Sequence, residues 1–457
     1  MDLGMRERLL KGFTANIYGQ VVTMVVQLVG VPVLLHAWGT QLYGEWLILF
    51  AIPAYLSMTD LGFSQSAAND MTAQVARGDR TGALVVFQSL TAFVFFTISC
   101  MVLLTSILIF ALPLEDWIHT GVMRVAEVRW VLWLLAAEVF ARLPDGINHA
   151  GFRASGDFAL HMTLHSTTRL LQFGAIWIAA LSGGGPVAAA GAFFGVRAVA
   201  TPTFALVLAR RHHWLHYGFK HAARAELRRL FRPALANLAI PLAQGLNIQG
   251  MVLAVGAVLG PVAVVTFSTL RTLTRLVLQL VYSVGRAAEP ELAVAYGSRN
   301  IPLCKALFVH TLRAGLWLAL LAAAGLAVFG DSILAIWTHG KVAMHAVLFG
   351  WLLASAVASV LWYGALIVLK AANRHLRAAT VFVFASACVV GVAVLLLAWT
   401  GNIASAGLAL LLMDAVMALF TFCAAAQLLG VKPAESLVQA VDPRPLVTLV
   451  LSRVRIY

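Results

Sequence analysis

The sequence predicts an all-α polytopic membrane protein with about twelve transmembrane helices arranged as two six-helix lobes. Three observations predict it. The 457-residue chain is 61% hydrophobic and only 11% charged, with a mean hydropathy of +0.89. Soluble domains are roughly half apolar and a quarter charged. Apolar runs of about 20 residues recur along the whole chain, long enough to cross a ~30 Å hydrocarbon core as helices. Lys and Arg gather on one side of those runs.

The first run follows the basic start MDLGMRERLLKG and covers 14–36. It is too long and too polar for a signal-peptide core and reads as a retained span. The others cover 44–68, 82–112, 128–150, 158–181, 187–209, 233–259, 262–288, 304–329, 343–370, 377–399 and 403–428. Helices are expected because lipid leaves exposed backbone groups unsatisfied, and the alternating segments of a β-barrel are absent. With the N-terminus in the cytoplasm, 23 of the 32 Lys and Arg lie in inner segments. Arg124, Arg129 and Lys341 are outer, and six arginines lie inside spans. That bias fixes orientation, with both termini cytoplasmic. It also explains most of the net charge of +13, so nucleic acid is not an expected partner.

The longest basic loop, RRHHWLHYGFKHAARAELRRLFR, divides the chain. An N-terminal lobe is expected over 1–209, a cytoplasmic linker over 210–232, a C-terminal lobe over 233–428 and a basic tail over 429–457. The tail is partly amphipathic and suits the inner leaflet. The halves resemble each other. Asn16 lies 23 residues before Gly39, Asn237 lies 23 before Gly260, and VARGDR (75–80) pairs with VAYGSR (294–299). Parallel repeats of this kind are typical of carriers that alternate access to a midplane site.

Ionisable groups inside a span cost roughly 2.5–3.5 kcal/mol each and need a partner or a wet cavity. Six arginines, Arg142, Arg169, Arg197, Arg271, Arg275 and Arg313, stand against four acids, Asp60, Glu138, Asp145 and Asp414. In the fourth span Glu138, Arg142, Asp145 and His149 share a face; in the fifth, His161, His165, Arg169 and Gln172 do. Asn16, Gln20, Thr23 and Gln27 stripe the first span, and Asn237, Gln244 and Asn247 the seventh. The fourth-span stripe reads either as a cavity wall or as a self-neutralising ion-pair set in which Glu138 and Asp145 match Arg142. The first-span amides read as cavity lining or as interhelical glue. His161 reads as interfacial. Asp414 and Arg197 form a private pair or Asp414 is a lone counter-ion site. Arg271 and Arg275, one turn apart without a local acid, point to an anion. Asp60, roughly 24 Å down the second span at 1.5 Å per residue, reads as a partner for an arginine, an ion site or a boundary residue. Asp60, Glu138, Asp145 and Asp414 are the candidates for a coupling ion, a proton or sodium. The loop histidines 212, 213, 216 and 221 read as solvated, and no metal or other cofactor is expected. No catalytic triad, Walker motif or large soluble domain is seen, so an enzyme is not expected.

The segment from Leu34 to Asp79 carries Gly39, Leu42-Tyr43-Gly44, Tyr55-Leu56 and Asp60-Leu61-Gly62. In these elements the chain resembles the polysaccharide-exporter branch of the MOP superfamily, the Wzx-type flippases of lipid-linked oligosaccharides. The resemblance implies a MOP/MATE-like fold and a bacterial inner-membrane carrier. Its cargo would be a polyprenyl-diphosphate-linked O-antigen or exopolysaccharide repeat unit, moved to the outer leaflet by alternating access through a cationic central cavity. Arg271, Arg275, Arg142, Arg169, Arg197, Arg313, Asn16, Gln20, Gln27, Asn237, Gln244 and Asn247 are the candidate lining. Membrane lipids and glycan-assembly proteins are the further partners implied. Two rivals remain, a MATE-like antiporter of small cations and a membrane-embedded glycan polymerase. Six arginines against four acids argue against the first, and the short outer loops argue against the second.

Overall fold

A computed structural model describes residues 3–56, 61–113 and 121–444. The regular structure of the described residues is all helix, with no strand among them. Contacts divide the chain into two compact units, Met1–Gly245 and Leu246–Tyr457.

The first unit holds α1 (Leu3–Ala54), α2 (Leu61–Ala76), α3 (Arg80–Ala111), α4 (Val125–Arg142), α5 (Asp145–Ala154), α6 (Phe158–Leu181), α7 (Pro186–Arg211) and α8 (Arg224–Gly245). Helix α1 packs on α4 and α6, α7 on α4 and α6, and α2 on α3, α5 and α8. Its core gathers Met71, Phe87, Leu90, Ile147, Phe152, Leu208, Leu215 and Leu230. The expected linker is part of this unit. Gln88 of α3 donates to the His216 carbonyl (3.2 Å) and accepts from the His221 amide (2.8 Å). The contact boundary between the units falls after α8.

The second unit begins with a π turn, Leu246–Gly250. Then come α9 (Met251–Leu259), α10 (Pro261–Gly297), α11 (Ile301–Thr338), α12 (Ala346–Ala371), α13 (Leu376–Thr400), α14 (Ala404–Leu429) and α15 (Pro433–Val441). Helix α12 packs on α10, α11 and α14, α13 on α9 and α14, and α15 on α11.

Three expected spans are cut differently. The first two merge in α1, which bends at Gly39 (φ 71°, ψ −178°), a backbone conformation that penalises any side chain. The second span does not run unbroken to 68. Helix α1 ends at Ala54, one residue after Pro53, and α2 starts at Leu61. Asp60 lies outside the described residues. The fourth span breaks at Leu143-Pro144, because proline supplies no amide to the ladder.

Nine helical stretches among the described residues are long and apolar enough to cross a membrane. Counting both arms of α1, and the polar α4–α5 and α6, gives the about twelve expected. Outward-facing side chains such as Val328 (72% exposed) and Trp399 (84%) are apolar, as lipid contact requires.

The repeat is written in the backbone. Gly260 adopts φ 81°, ψ −179°, the conformation of Gly39. Gly78 (φ 83°) and Arg299 (φ 57°) are left-handed, at the same separation of 221 residues. Each is followed by a helix N-cap whose side chain accepts an amide, Asp79 from Gly82 (2.8 Å) and Asn300 from Leu303 (3.1 Å). The register thus pairs Gly78 with Arg299, two residues away from the match of VARGDR to VAYGSR.

Candidate functional site: two charged clusters inside the spans

In the first unit, α4, α5, α6 and α7 bring a charged cluster into a buried interior. Arg197 of α7 is 2% exposed and lies beside two acids, Glu138 (4%) and Asp145 (5%). Its Nε is 3.4 Å from Glu138 Oε1 and its Nη1 is 3.6 Å from Asp145 Oδ2. Nη2 donates to Gln172 Oε1 (3.0 Å), and Gln172 Nε2 donates to Glu138 Oε1 (3.0 Å). Asp145 is also held by two imidazoles, His161 Nε2 at 2.9 Å and His165 Nδ1 at 3.0 Å. Beside this network lies a cavity of about 430 Å³, lined by Arg142, Asp145, His149, His161 and His165 with Ser64 and Gln65.

The break at Pro144 makes this possible. Glu138 ends up on α4 and Asp145 opens α5, and one guanidinium from α7 reaches both. Arg142 is the outlying member, 3.9 Å from Glu138 and facing the cavity. The cation that the two acids share is Arg197 and not Arg142. Within its own unit Arg197 thus has two acid partners, and His161 is buried against Asp145. His165, whose side chain is half-exposed, joins the cavity to the Asp145 carboxylate.

Along α1, Gln20 bonds Asn16 (3.2 Å), and Thr23 accepts from Arg169 Nη1 (3.2 Å), which ties α1 to α6. Asn16 is exposed and Gln27 half-buried. Asn237 donates to Ser66 Oγ (2.9 Å), fastening α8 to α2, while Gln244 is exposed.

The second unit contains the pair one turn apart on α10. Arg271 Nη1 donates to the main-chain carbonyls of Asn247 (3.2 Å) and Ile248 (3.4 Å), and Nη2 to the Asn247 side chain. Both carbonyls belong to the π turn, whose widened ladder frees acceptors that an α-helix would consume. The guanidinium also lies 5.5 Å from the Phe267 ring centroid. Within its unit the Arg275 side chain has no hydrogen bond or ion pair to any described residue, and no carboxylate among those residues lies within ion-pair distance of either arginine. Asp414 is buried and accepts from Trp362 Nε1 (2.9 Å) and from Ser355 Oγ. It is a hydrogen-bonded single carboxylate near Arg271.

Arg313 is placed elsewhere. It is 6% exposed, with Nε and Nη2 on the carbonyl of Gln439 in α15 (3.1 and 2.6 Å). It anchors the C-terminal helix. The predicted lining thus falls into a paired network in one unit, an acid-free pair in the other, and helix fastenings.

Glu45, next to the Tyr43-Gly44 element, escaped the sequence reading. It is buried and accepts three successive amides, from Gly121 (2.7 Å), Val122 (2.8 Å) and Met123 (3.0 Å). Its position at the edge of an apolar run was the one visible signal.

No family model and no curated protein matches the sequence. Solved structures do match in fold. One, the inward-facing conformation of a multidrug resistance MATE family transporter of the MOP superfamily, aligns with a TM-score of 0.71 at 16% identity, covering 91% of this chain and 94% of that one. The outward-facing conformation of such a transporter aligns at 0.62 and 14% identity, over 93% and 95%. A third is a MOP superfamily transporter from Pyrococcus furiosus, for which reverse polarity of the binding pocket suggests a different function; it aligns at 0.55 and 13% identity, over 93% and 95%. The chain is a multi-pass membrane protein with the fold of the MATE transporters.

Proposed function

We propose that the protein is a flippase that carries a polyprenyl-diphosphate-linked oligosaccharide across the bacterial inner membrane by alternating access, with both termini cytoplasmic. The observation that carries this reading is the Arg271/Arg275 pair. Two guanidinium groups on one face of α10 meet only neutral partners or none among the described residues. Standing positive charge inside a span costs several kcal/mol unless water or an anion meets it. A diphosphate matches two guanidinium groups in charge and in donor geometry. Glycan hydroxyls need polar lining in place of water, because unbonded polar groups are costly to bury. Outward movement of negative charge also gains about 2.3 kcal/mol per charge per 100 mV from an inside-negative potential. A proton or sodium ion at Asp60, Asp145 or Asp414 would reset the empty carrier.

The test is flipping of a fluorescent polyprenyl-diphosphate glycan in reconstituted vesicles. Arg275→Ala should slow it at least about tenfold, the effect of losing one charge-assisted hydrogen bond or more, and Arg275→Lys should recover part of the rate. Wild-type flipping by Arg271→Ala/Arg275→Ala would sink the assignment. One observation favours a second reading, a MATE-like cation antiporter. Asp414 is a buried carboxylate with no cation bonded to it among the described residues of its unit. Efflux of a cationic dye that fails in Asp414→Asn, with no glycan flipping in wild type, would establish that reading instead.

A further inference from the structure

We propose that a cationic pocket beneath the C-terminal helix binds a phosphate group, carried by a membrane lipid or free in solution. The pocket, about 550 Å³, lies where the first turns of α11 meet the α14–α15 connection and α15. Lys305, His310 and Arg313 line it from α11, Lys432 lines it from the connection, and Glu435 is its one acid.

The cations outnumber what the fold uses. Arg313 is buried, yet its bonds go to neutral acceptors. Nε and Nη2 share the Gln439 carbonyl, and Nη1 reaches only His310 Nδ1 at 3.5 Å. Lys305 Nζ donates to the Gly430 carbonyl at 3.2 Å. Among the described residues neither makes an ion pair with Glu435 or any other carboxylate. A buried guanidinium without a counter-anion is destabilising, and an anion in the adjoining cavity relieves it.

A purely mechanical role for these groups fits the geometry less well. Docking of α15 is secured at its C-terminal end, by Arg313 on Gln439 and by Trp317 Nε1 on the Val441 carbonyl (3.1 Å). The lysines sit at the other end. Lys432 directly precedes α15, whose Pro433 opens the helix. The first-turn amides there have no partner within the helix, and the helix dipole adds partial positive charge. Lysine ammonium, buried guanidinium and a helix N-terminus around one cavity are the elements that bind phosphate. By the positive-inside orientation the pocket faces the cytoplasmic leaflet, within reach of an anionic headgroup. The proposal is independent of the cargo carried.

The test uses the full chain in phosphatidylcholine nanodiscs doped with phosphatidic acid, with lipid retention read by native mass spectrometry. Wild type should retain phosphatidic acid in preference to phosphatidylcholine. Lys305→Ala/Lys432→Ala should weaken retention about thirtyfold, at about 1 kcal/mol per basic residue. Lys305→Arg/Lys432→Arg should restore it, with thermal unfolding unchanged in both variants. A parallel arm adds inorganic pyrophosphate. Displacement of the lipid by pyrophosphate points to a soluble phosphate source, and resistance points to the headgroup. Retention by the double alanine variant equal to wild type, or no preference for phosphatidic acid together with no pyrophosphate binding, overturns the proposal.

Discussion

Arg197→Met removes the guanidinium that Glu138 and Asp145 share. Methionine has similar length and fills the space, so the change isolates charge from volume. In the wild type, Arg197 lies 3.4 Å from one carboxylate and 3.6 Å from the other and donates to Gln172 at 3.0 Å. Without it two buried acids face each other across a neutral side chain. Removing one partner of a buried pair costs about 3–5 kcal/mol, mostly from the stranded charge. Adding Glu138→Gln removes one stranded charge and keeps an oxygen to accept from Gln172. The double variant should therefore lose only about 1–2 kcal/mol, giving a coupling of at least about 1 kcal/mol. The assay is equilibrium unfolding in mixed detergent and sodium dodecyl sulfate micelles, followed by tryptophan fluorescence. A single variant within about 1 kcal/mol of wild type, with no coupling to Glu138→Gln, would refute the view that this arginine neutralises the cluster.

The other predictions use the same measurement or a simple companion. Gly39→Ala and Gly260→Ala should each cost about 1–3 kcal/mol, because both residues hold a positive φ with an extended ψ; a marked asymmetry would speak against the repeat. Arg313→Ala should release α15 and speed proteolytic removal of the tail several-fold, since a hydrogen bond to a charged group is worth about 1.5–3 kcal/mol. Arg229→Ala should change stability by less than about 1 kcal/mol although Arg229 bonds both Asp70 and Glu226, because the pair is exposed and salt-screened.

Which features were legible depends on where a residue finds its partner. Span positions come from many residues each contributing apolar character, so a few errors do not move them. The breaks are harder. Pro144 was visible, but membrane helices tolerate proline when neighbours re-satisfy the freed groups, and only the packing of α5 on α2 and α7 decides for a turn. The pairing of Asn16 and Gly39 with Asn237 and Gly260 has the register the backbone shows, whereas matching the letters of VARGDR to VAYGSR falls two residues off. The structure aligns conformations instead, placing Arg299 in the left-handed position that Gly78 holds.

The charges follow the same logic. Counting acids on its own helix marked the Arg271/Arg275 pair as unneutralised, and no other helix of its unit brings a carboxylate into ion-pair range. On the fourth span the self-neutralising reading matches Glu138 and Asp145 to Arg142, and of these the structure keeps only the Glu138–Arg142 approach at 3.9 Å. The cation both acids share comes from α7, and two imidazoles from α6 complete the set. A stripe of mixed charge along one helix thus says that a partner is needed but not which one. A stripe of like charge says more, because every acid that could answer it must come from another helix. Among the described residues of its unit none pairs with Arg271 or Arg275, so on α10 the count along one helix and the packing around it agree.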